Sequence, residues 1–282
     1  IDTVKELDHN VLLIFQPAEE TLGGAEEICK SGIFTKYNVR QVFGIHLWPF
    51  LPKGVISSRP GAFMPKSAEI NVDINGKAAH GTAPYEGLDA LYITADYVKR
   101  TYGDHANMFG AIHRFKDGVG DLTYAPCDIP EERTLIHFGK MESGYARNIV
   151  SDYSHLLGTV RAYDEDHFQK IIGILTKNLE EIEKEYHCTT GFSHSDGYPP
   201  VINDKVLYDE IRPVLESLEG GYEEMPLPLM ISEDFSFYGQ YAPAVFFVLG
   251  TGTGIPLHST SFDFEEDLLL SGFALYKALL TR

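Results

Sequence analysis

The sequence predicts an α/β protein: a parallel or mixed-sheet domain interrupted by a smaller α+β domain of ferredoxin-like type. Three observations carry this. Short apolar runs at residues 11–15, 42–47 and 244–249 have the length and composition of strands buried on both faces. Residues 67–74 instead alternate strictly, Ala68, Ile70, Val72 and Ile74 against Glu69, Asn71 and Asp73, as a strand with one wet face does. The pattern that follows reads β-α-β-β-α-β, the order of a split βαβ unit.

The elements follow in order. Residues 11–15 are predicted as a buried parallel strand stopped by Gln16-Pro17, and a helix over 23–31 is closed by Gly32. A second strand at 42–47 ends before Pro49 and completes a strand–helix–strand opening. In the middle part, a strand at 67–74 is followed by a helix over 87–100 and strands at 133–140 and 154–163. Asp164 then caps a helix reaching Tyr186, with Glu165 and Asp166 in its first turn, before a strand at 188–194. After Pro199-Pro200 come a helix at 205–218, the strand at 244–249 and a last helix at 265–280. Residues 102–132 are rich in Gly, Asp and Pro and are read as an elaborated loop. The domains are accordingly residues 1–64 and 203–282 for the main sheet, and 65–202 for the inserted part.

A chain of 282 residues is long enough for two such cores. Its net charge of −18 argues against a nucleic-acid partner, which needs a basic footprint. It does not argue against small anionic substrates, because one local Arg can hold a carboxylate in an acidic protein. No apolar stretch approaches a membrane span, so no membrane partner is expected. Cys29, Cys127 and Cys188 lack C-x-x-C spacing and fit reduced thiols in a cytoplasmic protein, with Cys29 a small core residue of its helix. The chain starts at Ile, with nothing resembling a signal peptide, and is expected to begin inside a longer gene product.

Three polar clusters lie just past apolar strands. Glu19 and Glu20 follow residues 11–15, His46 closes 42–47, and His258 follows 244–249 after a Gly-rich turn. Ligands bind at the carboxyl ends of strands in open α/β sheets, so these side chains are candidates for a divalent metal site, most naturally zinc. Each also has a plainer reading: paired acids favouring a helix dipole, a hydrogen-bonded His beside Trp48, a loop His. The glycine run 250–254 opens no helix and does not suggest a nucleotide site.

The wording of the motifs separates these readings. Phe15-Gln16-Pro17-Ala18-Glu19-Glu20 with Gly23-Gly24-Ala25 closely resembles the signature of M20 amidohydrolases, which include N-acyl-amino-acid deacylases and auxin-conjugate hydrolases. Gly44-Ile45-His46-Leu47-Trp48-Pro49, Gly76-Lys77-Ala78-Ala79-His80-Gly81, Ala146-Arg147-Asn148-Ile149-Val150 and Gly158-Thr159-Val160-Arg161 are similar to the next family motifs. Ser232-Glu233-Asp234-Phe235 and Leu257-His258-Ser259 complete the series, in family order.

The resemblance implies a metallohydrolase with two divalent ions, Zn²⁺ first, with Mn²⁺, Co²⁺ or Ni²⁺ as alternatives. It also implies that the inserted domain is a lid through which the protein forms a homodimer. Carried over by position, Glu19 is the general base, and Glu20, His46 and His258 are metal ligands. His80 reaches the partner subunit's site and stabilises the oxyanion, while Asn148 and Arg161 hold substrate polar groups. No role is assigned to Glu233. The implied reaction is hydrolysis of N-acyl amino acids, N-acetyl-diaminopimelate among them. Dipeptides or aminoacyl conjugates are alternative substrates, and a non-catalytic truncated dimer is the alternative of a different class. The chain departs from the pattern in lacking an upstream Cys-Gly-His-Asp type motif, which supplies two further ligands, and in having Tyr85 where many relatives have His.

Overall fold

The computed structural model describes residue 7 and residues 9–20, 23–109 and 132–282. It divides into two compact units, one of Ile1–Met64 with Pro199–Arg282 and the other of Pro65–Tyr198. The first unit opens with α1 (Gly24–Lys30), α2 (Ile33–Lys36), β1 (Val42–Trp48), β2 (Ile56–Ser58) and β3 (Gly61–Met64). The second holds β4 (Lys66–Asn75), β5 (Ala79–His80), α3 (Ala90–Phe109), β6 (Thr134–Ser143), β7 (Ile149–Val150), β8 (Tyr153–Ala162), α4 (Glu165–Tyr186) and β9 (Thr189–His194). The chain returns to the first as β10 (Val201–Asn203), α5 (Lys205–Glu216), β11 (Tyr222–Glu224), a 3₁₀ turn Asp234–Gln240, β12 (Ala244–Gly250) and α6 (Leu269–Leu280).

In the first unit the sheet runs β1-β12-β2-β11. β1 and β12 are parallel and in register from Val42↔Ala244 to Trp48↔Gly250. Every residue of β12 is buried, because its two faces serve two cores. Ala244, Phe246 and Val248 pack with Ala25, Cys29, Phe63 and Phe235. Val245, Phe247 and Leu249 pack with Tyr208, Ile211 and Leu215 of α5 and Leu275 of α6. Each large side chain so buried contributes about 1.5–3 kcal/mol, which makes β12 the anchor of the unit.

One sequence expectation fails here. Residues 11–15 form no strand, and Leu13 and Phe15 are 59% and 89% exposed. The apolar composition suits a strand, but a strand exists only as part of a ladder. Among the described residues none pairs with this segment, and β1 is the edge of the sheet.

The second unit is a four-stranded antiparallel sheet in the order β6-β8-β4-β9, the ferredoxin-like arrangement expected. Even-numbered residues of β4 point into the core, where Ile70, Val72 and Ile74 meet Ile93 and Tyr97 of α3 and Phe168, Ile171 and Leu175 of α4. Asp164 caps α4 by accepting the His167 backbone N–H at 2.7 Å. Asp89 caps α3 in the same way, accepting from Leu91 at 3.0 Å. The helix α3 runs to Phe109, so residues 102–109 are helical rather than loop. Its inner stripe of Tyr97, Thr101 and His105, spaced four apart, is buried and holds those extra turns against the sheet. Residues 110–131 of the expected loop, Cys127 among them, lie outside the described residues.

Candidate functional site

The segment carrying Glu19 and Glu20 is shaped by backbone constraints its sequence only hints at. Ala18 adopts φ 64°, a left-handed conformation that costs a residue with a Cβ about 1–2 kcal/mol. The Gly23 N–H closes the turn by donating to the Ala18 carbonyl at 3.0 Å. Gly24 lies so near the preceding segment that a Cβ there would fall 2.0 Å from the Pro17 carbonyl oxygen. Strain of this kind persists only where the surroundings over-determine it.

Those surroundings are centred on Asp234, which is fully buried. Its carboxylate accepts the Gln16 side-chain amide at 2.9 and 2.7 Å and the Ala25 backbone N–H at 3.1 Å. The other end of the Gln16 amide, its Oε1, accepts the Tyr238 hydroxyl at 2.6 Å. Asp234 is in turn held by its neighbour Phe235, whose ring lies 4.7 Å from that of Phe246 on β12. Gly44 of β1 makes room for that ring.

One oxygen from each of Glu19, Glu233 and Asp234 lies within 4.8 Å of the others. The oxygens of Asp234 already accept three N–H contacts, so it serves the loop. Glu19 and Glu233 are the pair that face one another, and their carboxyl groups are hydrogen-bonded. Burial, then the charges of Glu19 and Asp234, push Glu233 up to about 8. Glu19 is raised too, by burial first and by the charges of Glu20 and Asp234; the Glu233 hydrogen bond and His46 oppose this. Two carboxyl groups this close and this desolvated each disfavour the other's charge.

His46 is half-buried on β1 and donates from Nδ1 to the Leu47 carbonyl at 2.8 Å. That hydrogen bond leaves the lone pair on Nε2, the tautomer and orientation a metal ligand needs. Glu20 and His258 are exposed. Carboxylate oxygens and an oriented imidazole are a donor set that suits a divalent ion of the zinc or manganese kind. Of the residues singled out from sequence, Glu19 falls in the acid cluster, with His46 close enough to stabilise its charge. Glu20, His46 and His258 are outside the three-acid group. The sequence reading quoted Gln16 and Asp234 within motifs but gave them no role, and it missed Tyr238. The signal available was a Gln directly after an apolar run and an Asp directly before a Phe.

In the second unit His80 and Asn148 stand together. His80 pairs across strands with Ile149, and the Gly81 N–H donates to the Asn148 carbonyl at 2.7 Å. A Cβ on Gly81 would lie 2.9 Å from that oxygen, so glycine permits the close approach. The exposed His80 ring is oriented by Thr82, whose Oγ1 lies 2.8 Å from Nδ1. Arg161 is elsewhere. It lies on β8 opposite Ser67 at the start of β4, whereas His80 comes after the end of β4 at Asn75. Eight residues of strand separate those ends by about 26 Å at about 3.3 Å per residue. A small substrate held by one Arg161 is therefore out of reach of His80 in the same unit.

Comparison with known proteins agrees with the architecture. Peptidase family M20/M25/M40 matches residues 2–282. An uncharacterized hydrolase of Staphylococcus aureus strain bovine RF122 / ET3-1 is 30% identical over 98% of this chain and 68% of its own length. An uncharacterized hydrolase of Staphylococcus epidermidis is 31% identical with the same coverage. Among solved structures, YxeP of Bacillus subtilis, described as a dinuclear metal-binding peptidase of the M20 family, aligns with a TM-score of 0.70 at 21% identity. It covers 95% of this chain and 64% of that one. The aminobenzoyl-glutamate utilization protein of Klebsiella pneumoniae aligns with a TM-score of 0.63 at 18% identity, over 95% and 60%.

The fold, with its acid cluster near the strand-borne His46, fits a family of metal-dependent hydrolases. The chain belongs to peptidase family M20/M25/M40. It spans about two thirds of the length of the relatives it matches.

Proposed function

We propose that the protein hydrolyses the amide bond of small N-acyl amino acids in the cytoplasm, as a homodimer, with Glu19 as general base. The observation that carries this reading is the half-buried Glu19 carboxyl, raised above its usual range, on a strained turn beside Glu20 and near the oriented ring of His46. A carboxyl whose proton affinity is raised by burial is a better base than a solvated one, as the proton-transfer role requires. Glu20, His46 and His258 would hold divalent metal, Zn²⁺ or else Mn²⁺, Co²⁺ or Ni²⁺, which when bound supplies Lewis acidity toward water and the amide carbonyl. Glu19 accepts a proton from the attacking water and passes it to the departing amine. His80 faces the charge developing on the carbonyl oxygen. Arg161, with its planar fork, clamps the substrate carboxylate, and Asn148 holds a further substrate polar group. The separation of Arg161 from the His80–Asn148 pair supports a shared site, in which one protomer provides the Arg and its partner the pair.

The test is hydrolysis of N-acetyl amino acids, with dipeptides as competitors, by full-length protein of known metal content. Glu19→Gln is expected to keep metal and lose turnover by about 10²–10⁴-fold, while Glu20→Gln loses metal. Equal metal content in wild type and both variants would remove that division of roles. Mixed dimers of Glu19→Gln and His80→Ala should regain activity if the site is shared, and no activity if it is not.

A further inference from the structure

We infer that Asp234, Gln16 and Tyr238 form a hydrogen-bonded clamp that positions the Glu19–Glu20 turn, and that Asp234 itself is not a metal ligand. The inference rests on the reading of that turn as catalytic. Each link has a direction. Tyr238 donates its hydroxyl to Gln16 Oε1 at 2.6 Å, which fixes which way the Gln16 amide faces. The Gln16 Nε2 then donates to both Asp234 oxygens, at 2.9 and 2.7 Å. Asp234 Oδ2 also accepts from the Ala25 N–H at 3.1 Å. The clamp therefore grips the turn on both sides of Glu19, three residues before it and six after.

The grip is rigid because its base is packed. Asp234 has no solvent exposure and Tyr238 only 5%. The Tyr238 ring stacks on Phe34 and meets Phe235 edge-on, with centroids 5.7 and 5.6 Å apart. Phe235 is wedged between Gly44 and Phe246, so the strand that carries His46 and the turn that carries Glu19 are referenced to one another through it. A buried carboxylate is costly unless its oxygens are satisfied, and these are satisfied by amide N–H groups. An ion taking an Asp234 oxygen would compete with the donors that shape the turn. Such partners orient reacting groups without touching substrate, and their loss costs about 10–100-fold in metal affinity or activity.

The clamp can be rewired. Asp234→Asn sets two amide donors against each other, and Gln16→Glu sets two carboxylates against each other. In the double variant the Asn amide donates to the new Glu, Tyr238 still donates to that Glu, and Ala25 still donates to the Asn oxygen. Tyr238→Phe is the mild variant, removing only the hydroxyl that orients Gln16. The measurements are Zn²⁺ affinity by chelator competition, amide hydrogen exchange of residues 16–25, and kcat and KM on an N-acetyl amino acid.

The single variants are expected to weaken Zn²⁺ binding and lower kcat by about tenfold or more with KM little changed, and to speed exchange at Ala25. The Asp234→Asn, Gln16→Glu pair should restore all of these to within a few-fold. Tyr238→Phe should shift them the same way by less, even if Gln16→Glu alone does not fold. The clamp is refuted if the singles lower only the melting temperature, or if the double variant is no better than the worse single. It is also refuted if Asp234→Asn abolishes Zn²⁺ binding beyond rescue, as loss of a direct ligand would. If wild type cleaves no N-acyl amino acid, the proposed substrate fails, while exchange and Zn²⁺ affinity still decide the clamp.

Discussion

Replacing Gly44 with Ala should destabilise the first unit, although glycine-to-alanine changes in a compatible backbone normally stabilise by about 0.4–1 kcal/mol. Gly44 sits within β1, and an added Cβ would lie 2.7 Å from Cδ2 and Cε2 of Phe235 and 2.8 Å from Cδ2 of Phe246. Carbon atoms pack best at about 3.5–4.0 Å, so both rings would have to retreat by roughly 0.8 Å. Neither is free to do so: both are almost wholly buried and lie against each other on the face of the sheet that β1 and β12 form. Overpacking of this kind costs about 1–3 kcal/mol, and two blocked rings argue for about 2 kcal/mol. The protein has one tryptophan, Trp48, at the end of the same strand, so its fluorescence during urea unfolding reports on this unit. The expected result is a lower urea midpoint with an unchanged slope. A variant as stable as wild type, or more so, would show that Phe235 is not wedged and would undercut its role in placing Asp234.

Three further outcomes follow from local geometry. Ala18→Gly should raise stability by about 1 kcal/mol, read as a higher midpoint, because it removes the Cβ from a left-handed residue. Asp164→Ala should cost about 1 kcal/mol through loss of the α4 cap. Burial raises the Asp164 carboxyl, but the hydrogen bonds from the His167 backbone and ring outweigh it and hold the group below its usual range. A carboxyl lowered on folding stabilises above the ordinary carboxylate range, and that contribution is lost as pH falls through it. The stability gap between wild type and Asp164→Ala should therefore narrow between pH 7 and pH 3 in thermal melts followed by circular dichroism. Burial pushes the Cys29 thiol up to about 11, so iodoacetamide at pH 8 should label Cys29 only after denaturation, as mass mapping would show.

Much of the architecture was legible locally. The alternation of residues 67–74 requires one wet and one dry face, and β4 has them. The uniform apolar run at 244–249 requires burial on both sides, and β12 is buried throughout. The Asp164 cap was legible because a cap and its helix are only a few residues apart. Residues 11–15 misled for the converse reason: apolar composition shows that a segment could join a sheet, not that a neighbouring strand is there to receive it.

For the site, the sequence by itself determined the candidates, Glu19, Glu20, His46 and His258 at the ends of apolar runs, and through the motif wording the family. Only the tertiary structure decided how Glu19 is held. Asp234 lies 218 residues from Gln16, and no pattern of propensity or spacing connects positions so far apart. Their pairing arises because Phe235 packs on the sheet face over Gly44 and against Phe246, and because a buried carboxylate must find donors wherever the fold brings them.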